Sequence, residues 1–237
     1  MNTEKLSARL AAVAKYIPKG ARLADIGSDH AYLPCYAVKE EIVPFAIAGE
    51  IADGPFLSAK KQVENEGLTQ KISVRKGDGL AVIERGEVDC ITIAGMGGTL
   101  IINILDHNKE KLQEVQRVIL QPNIGARHIR KWFLENGWEL ITEEILQEDG
   151  KVYEILIGEK GNPYKPYEQM LDSGLLLGPF LQVEKNEAFK QKWTNELITW
   201  RNVLAQLDKA TTETDELLQK KQQLHHYIKL AEEALNK

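Results

Sequence analysis

Five short apolar runs, each closed by a glycine, an acid or a proline, alternate with helix-like segments over residues 22–136. The runs are 22–27, 45–50, 71–75, 88–94 and 117–121. They carry apolar side chains at successive positions rather than every second one, so they suit strands buried on both faces. Parallel strands need a crossover between them, and helices expected over 32–40, 53–66 and 99–105 supply it. A further helix is expected over 126–136, stopped by Gly137. The expected architecture is a mostly parallel sheet covered by helices on both faces. The pattern then changes. Runs 138–147 and 151–158 are joined by Glu148-Asp149-Gly150, too short for a crossover helix, so they read as an antiparallel hairpin closing a seven-stranded sheet. Ahead of the first strand, Leu6, Leu10, Val13 and Ile17 lie at helical spacing, with Thr3 as expected N-cap and Pro18 as the stop.

Beyond the sheet the composition shifts. Gly161-Asn162-Pro163-Tyr164-Lys165-Pro166 reads as a linker. Phe189, Trp193, Leu197, Trp200, Leu204 and Leu207 then follow at steps of four, four, three, four and three residues, a coiled-coil seam. Leu217, Leu224, Ile228, Ala231 and Leu235 form an answering stripe after a turn at 208–211, and Thr212 with Asp215 resembles a capping box. An antiparallel helical hairpin is expected, with the Trp193/Trp200 seam packed within one chain, so the protein is expected to be a monomer. The expected domains are 1–160 and 161–237.

Composition narrows the class. The chain is 43% hydrophobic and 27% charged, with a net charge of -5, so no global basic field advertises nucleic acid, although a local patch is compatible with it. The longest uncharged run, 90–105, is too short to span a bilayer, and the N-terminal residues suit an amphipathic helix rather than a signal core. Cys35 and Cys90 are expected to be buried thiols. No metal and no membrane are expected, and a cytoplasmic location is.

In an open α/β sheet, ligands bind at the carboxyl ends of the strands. Four such ends carry acids or glycines in order: Asp25 with Gly27 and Ser28, Glu50 with Ile51, Asp78 with Gly79, and Ala94-Gly95-Met96. Glu50 suits the hydroxyls of a ribose, which would also fit a nicotinamide enzyme. The first loop argues against that. Gly27-Ser28-Asp29-His30-Ala31 lacks the second and third glycines of a dinucleotide fingerprint, and Asp29 would repel a pyrophosphate. A ligand with an ammonium and a sulfonium but no phosphate, S-adenosylmethionine, fits better. Asp78 would then accept from the adenine amino group, and the glycines after the fourth strand would admit the methionine portion.

The stretches 24–34, 77–80, 94–98 and 120–123 together resemble the bacterial tRNA (adenine-22-N1)-methyltransferases, the TrmK family. The likeness runs from about Leu6 to Lys160, and the helical hairpin matches the family's C-terminal appendage. The resemblance implies a class I, Rossmann-like methyltransferase fold, S-adenosylmethionine as donor, and N1 of one adenine in the tRNA D-arm as acceptor. The Asn/Asp-Pro-Pro-aromatic motif of amino-methylating enzymes is absent at the fourth strand, which favours ring-nitrogen chemistry.

Candidates for the acceptor pocket are Asp29, His30, Tyr32, Gln121 and Asn123. Each has another reading: Asp29 as a partner of the donor's amino group, His30 as a cap or packing residue, Tyr32 as a packed side chain, and Gln121-Pro122-Asn123 as a turn. Arg9 reads as a solvated surface arginine, with the donor carboxylate as its alternative. For gripping RNA there are Lys15, Lys19 and Arg22; Arg127, Arg130 and Lys131; and Lys185, Lys190 and Lys192, the last group preferred. The rival functions are methyl transfer to another RNA, a protein or a small molecule, and a non-catalytic adaptor. All three strand-end acids being present speaks against the adaptor.

Overall fold

A computed structural model describes residues 3, 5–209 and 214–236. The chain packs as two compact units, one of residues up to Glu144 with Tyr153–Lys165, the other of Ile145–Val152 with residues from Pro166 on.

The first unit is built on strands β1 (Arg22–Ile26), β2 (Phe45–Glu50), β3 (Ile72–Lys76), β4 (Cys90–Gly97), β5 (Arg117–Ile124), β6 (Trp138–Glu148) and β7 (Lys151–Lys160). Their order in the sheet is β3-β2-β1-β4-β5-β7-β6. The first five are parallel, and β7 runs antiparallel to β5. The order reverses at β1, so the crevice between β1 and β4 is the topological switch point. Helices α1 (Ala8–Lys15), α2 (Tyr32–Lys39), α3 (Asp53–Asn65), α4 (Gly98–His107) and α5 (Ala126–Glu135) complete the unit. Leu23, Ala24, Ala46, Ile47, Ile91, Ile93, Val118 and Ile119 are wholly buried, as strands covered on both faces require.

Several element ends differ from expectation. Helix α1 starts at Ser7, whose hydroxyl accepts from the Leu10 amide at 3.2 Å. Thr3 instead donates to Glu66 Oε1 at 2.5 Å, a tertiary bond that outcompetes local capping. Asp53 sits in the first turn of α3 and meets Lys76, leaving Ala52 as cap. Strands β4 and β5 run on together to Gly97 and Ile124, past the expected ends at 94 and 121, because they pair through two register shifts at Met96.

Arg130 was a candidate RNA cation and is not available as one. It is fully buried, bonding Glu143 Oε1 at 2.5 Å and also Glu154. Other members of those clusters are already in exposed ion pairs: Lys15 with Glu144, Arg22 with Asp89, Lys131 with Glu135 and Lys190 with Glu187.

The second unit contains α6 (Leu171–Leu177), α7 (Leu181–Glu184), α8 (Glu187–Leu207) and α9 (Asp215–Asn236). The sequence pattern missed α6 and α7, which are too short to show a period. Asn186 caps α8 by accepting from the Phe189 amide at 3.0 Å. Thr214 accepts from the Leu217 amide at 3.2 Å. Thr212 and the centre of the expected turn lie outside the described residues. Asp208 pairs with Lys221, whereas Trp200 and Arg201, earlier in α8, meet Tyr227 and Glu232, later in α9, so the two helices are antiparallel. Phe189, Trp193 and Leu197 pack with Ala231, Ala234, Leu177 and Leu181, and Ile145 from the hairpin tip joins this core.

Candidate active site

The parallel strands deliver their carboxyl ends to one edge of the sheet, and β1 is the centre of that edge. Register places Asp25 beside Ala48 on one side and Thr92 on the other. Asp25 is only 4% exposed. Its two oxygens accept from Ser28 Oγ and Thr92 Oγ1, each at 2.6 Å. Burial pushes its carboxyl above the ordinary range, and the two hydroxyls and the Arg9 charge only partly offset this.

Beyond Asp25 the chain makes a sharp loop. Gly27 has φ 70°, left-handed backbone that favours glycine, and the tip of the Met96 side chain lies over it, 2.0 Å from where a Cβ would stand. The Gly27 and Ser28 amides both donate to the Gly49 carbonyl. Asp29 and Ala31 also have positive φ, at 42° and 51°, which is strained backbone for residues with a Cβ. The Asp29 amide donates to Glu50 Oε1, which ties this loop to the end of β2. Burial raises the Glu50 carboxyl, the Asp29 amide lowers it, and the Asp25 and Asp29 charges add to the rise.

A cleft of about 230 Å³ opens at this edge. Of the expected site residues, Asp25, Gly27, Ser28, Asp29, Tyr32, Ala94, Gly95 and Met96 line it, joined by Arg9, Leu10 and Leu33. The others lie outside its walls. Glu50 stands behind Asp29, and the Glu50 carbonyl accepts from the Gly77 amide at 2.8 Å, linking the rim to Asp78 and Gly79. Ile51 is 61% exposed. The His30 ring stacks on Tyr32 at 5.3 Å, and its Nε2 is 3.6 Å from Asp29 Oδ1.

Arg9 is not a solvated surface arginine. It lines the cleft, its guanidinium lies 5.5 Å from the centre of the Tyr153 ring, and its Nη1 donates to Gln121 Oε1 at 2.5 Å. Gln121 is completely buried and also accepts from the Gly95 amide at 3.0 Å. Asn123, exposed at the rim, donates through Nδ2 to the Gly95 carbonyl at 2.8 Å.

Thr92 was missed by the sequence reading. Its signal was present: a lone hydroxyl inside an apolar central strand needs a buried partner, and the neighbouring strand ends in an acid.

The cleft is anionic on the loop side and walled by backbone on the β4 side. Carboxylates stand where a cationic or hydroxylated ligand would be held, and the Gly27, Ser28 and Asp29 amides of the loop already donate to Gly49 and Glu50. Both cysteines are buried, with thiols pushed up to about 12 by burial, so neither is a nucleophile. Among the described residues no group of three or more His, Cys, Asp or Glu side chains is arranged to hold a metal, and no helix is long and apolar enough to cross a membrane.

The family described as TrmK, tRNA (adenine(22)-N(1))-methyltransferase, matches residues 23–233. The tRNA (adenine(22)-N(1))-methyltransferase of Bacillus subtilis (strain 168) is 54% identical over 237 residues, spanning 100% of this chain and 99% of that protein. The crystal structure of the B. subtilis m1A22 tRNA methyltransferase TrmK superposes with a TM-score of 0.93 at 52% identity, covering 98% of this chain and 99% of that one. A Streptococcus pneumoniae relative solved in complex with S-adenosyl-L-methionine is 40% identical, with a TM-score of 0.86 and coverage of 98% and 100%.

Proposed function

The chain belongs to the tRNA (adenine(22)-N(1))-methyltransferase family, and from that premise we propose how its own residues carry out the reaction. The protein transfers a methyl group from S-adenosylmethionine to N1 of adenine 22 of tRNA. The observation that carries the reading of the site is the pairing of the Asp25 and Glu50 carboxylates with a glycine-walled cleft at the switch point. Asp25, Asp29 and Glu50 suit a ligand bearing two positive charges and a ribose. Gly27, Ser28, Ala94, Gly95 and Met96 line its methionine end, Glu50 and Ile51 its ribose, and Asp78 and Gly79 its adenine. Arg9, which lines the cleft, meets the donor's carboxylate in this reading.

S-adenosylmethionine bound there supplies a methyl carbon on a sulfonium: as adenine N1 bonds to that carbon, the C–S bond breaks, its electron pair stays on sulfur, and the positive charge passes to the purine. N1 carries no proton, so no general base is required. The residues instead hold two atoms in line, where correct placement accounts for most of the rate. Asp29, His30, Tyr32 and Asn123 form the acceptor side. The base must leave its stack to expose N1, and the His30–Tyr32 pair offers it a flat surface. An anionic rim stabilises the charge growing on the purine.

Residues 1–160 are the catalytic domain in this reading, and 161–237 contact tRNA through Lys185, Lys190 and Lys192. The protein works as a monomer in the cytoplasm. Incubation with labelled S-adenosylmethionine and unmodified tRNA, followed by nucleoside mass analysis, is expected to yield 1-methyladenosine at position 22. Label in another nucleoside, or donor binding without transfer to tRNA, would overturn the substrate.

A further inference from the structure

Around Gly95 the side-chain amides form a closed relay whose polarity is set at both ends by backbone. The Gly95 N–H and the Arg9 guanidinium can only donate, so the Gln121 atom between them must be its oxygen. Gln121 Nε2 therefore faces Asn123, at 3.5 Å, and the atom it meets must be Oδ1. Asn123 Nδ2 is then left to the Gly95 carbonyl, which can only accept. Glutamine and asparagine amides are nearly symmetric in shape, and here the network, not the shape, decides which way each one faces. The relay uses one hydrogen and one lone pair of the Asn123 amide. The other hydrogen and the other lone pair remain at an exposed position next to Gly95, whose carbonyl Asn123 holds.

We propose that Asn123 selects adenine by reading its N6 and N7 edge, and that Gln121 is the positioning residue that orients the Asn123 amide. This rests on the acceptor side of the site lying beside Gly95. An asparagine amide matches adenine by accepting from N6 and donating to N7. That edge lies away from N1, so the nucleophile stays free to face the donor. Guanine presents an acceptor at both O6 and N7, and the Oδ1 that Gln121 holds in place would meet O6 lone pair to lone pair. The pair thus provides a reason for the enzyme to accept adenine and refuse guanine.

The test uses the full-length protein and tRNA transcripts carrying adenine, 7-deazaadenine or unsubstituted purine at position 22. Removing the 6-amino group or N7 also changes how nucleophilic N1 is, so each rate is divided by that base's own reactivity toward a free methylating agent; on this scale the wild type is expected to lose about tenfold in kcat/KM on each altered base, the usual worth of one such contact. Asn123→Ala, a change at an exposed position, is expected to lose about as much on normal tRNA and to treat all three bases alike. Gln121→Glu, which has no N–H to offer Asn123, is expected to show the same indifference. A wild type indifferent to both altered bases would overturn the proposal. So would an Asn123→Ala variant that keeps the full tenfold sensitivity, or that methylates normal tRNA at the wild-type rate. If the wild type makes no 1-methyladenosine on normal tRNA, the acceptor assignment itself falls and this inference with it.

Discussion

Asp25 is the most expensive side chain in the cleft. Its carboxylate is taken almost wholly out of water and is met by two neutral hydroxyls rather than by a direct ion pair. Its pKa is raised in the fold, chiefly by burial. A raised carboxyl favours folding fully below the unfolded value, near pH 4, and that contribution is lost as pH rises through the folded pKa. Glu50 acts with the same sign. Glu66, Glu87, Asp89 and Glu139 are lowered by their partners and act with the opposite sign, so a difference curve is needed to isolate Asp25. Asp25→Asn without donor is expected to melt higher than the wild type at pH 7–8, and the gap should close toward pH 4. Its donor affinity should fall by about tenfold or more, since a hydrogen bond to a charged group is lost. Thermal melts across pH 4–8 and calorimetric titration with donor check the two halves. A variant no more stable at neutral pH would show that the two hydroxyls fully compensate the buried charge.

At the level of elements, α5, β6 and β7 are joined by a buried ion cluster. Arg130 on α5 lies between Glu143 on β6 and Glu154 on β7 with no exposed surface of its own. Removing the cation alone would leave two carboxylates facing each other in the interior. Arg130→Met is therefore expected to cost about 3–5 kcal/mol in urea unfolding. A triple variant with apolar residues of similar volume at all three positions should recover most of that loss. If the single variant unfolds within about 1 kcal/mol of the wild type, the cluster is not the clamp its burial implies. The ends of elements were the least legible part of the chain for a related reason. Thr3 and Ser7 are both capping types, and Thr3 is engaged by its tertiary bond to Glu66 while Ser7 caps the helix. Likewise Gly95-Met96-Gly97 reads as a loop by composition, yet the strand runs on through it, pairing with β5 as far as Ile124.

On the scale of the whole molecule, the chain does not divide at a single cut. The hairpin tip Ile145–Val152 is grouped with the helical unit, and Ile145, 3% exposed, belongs to that unit's core. Ending the chain at Lys160 removes the cover from Ile145 and its neighbour Val152. The fragment 1–160 is expected to bind S-adenosylmethionine within a few-fold of the full chain, to bind an apolar dye that the full chain does not, and to lose tRNA affinity along with its dependence on salt. Calorimetry, dye fluorescence and filter binding over a salt series measure the three. Unchanged tRNA binding by the fragment would remove the helical unit from the tRNA contact.

What the sequence determined by itself was periodic or stereochemically forced. Runs apolar on both faces can only be interior strands, an acid and a glycine at successive strand ends can only gather along one edge, and a seam at steps of three and four must find a second helix. What the tertiary structure decided was which polar groups meet. Arg9 and Arg130 are both helix arginines, one turned into the cleft to reach Gln121, the other enclosed by two glutamates. Thr92, Gln121 and Asn123 acquire their roles from partners that lie as many as 112 residues away along the chain. A hydrogen bond needs its donor and acceptor within about 3 Å, and no local pattern encodes a distance of that kind between strands brought together only by folding.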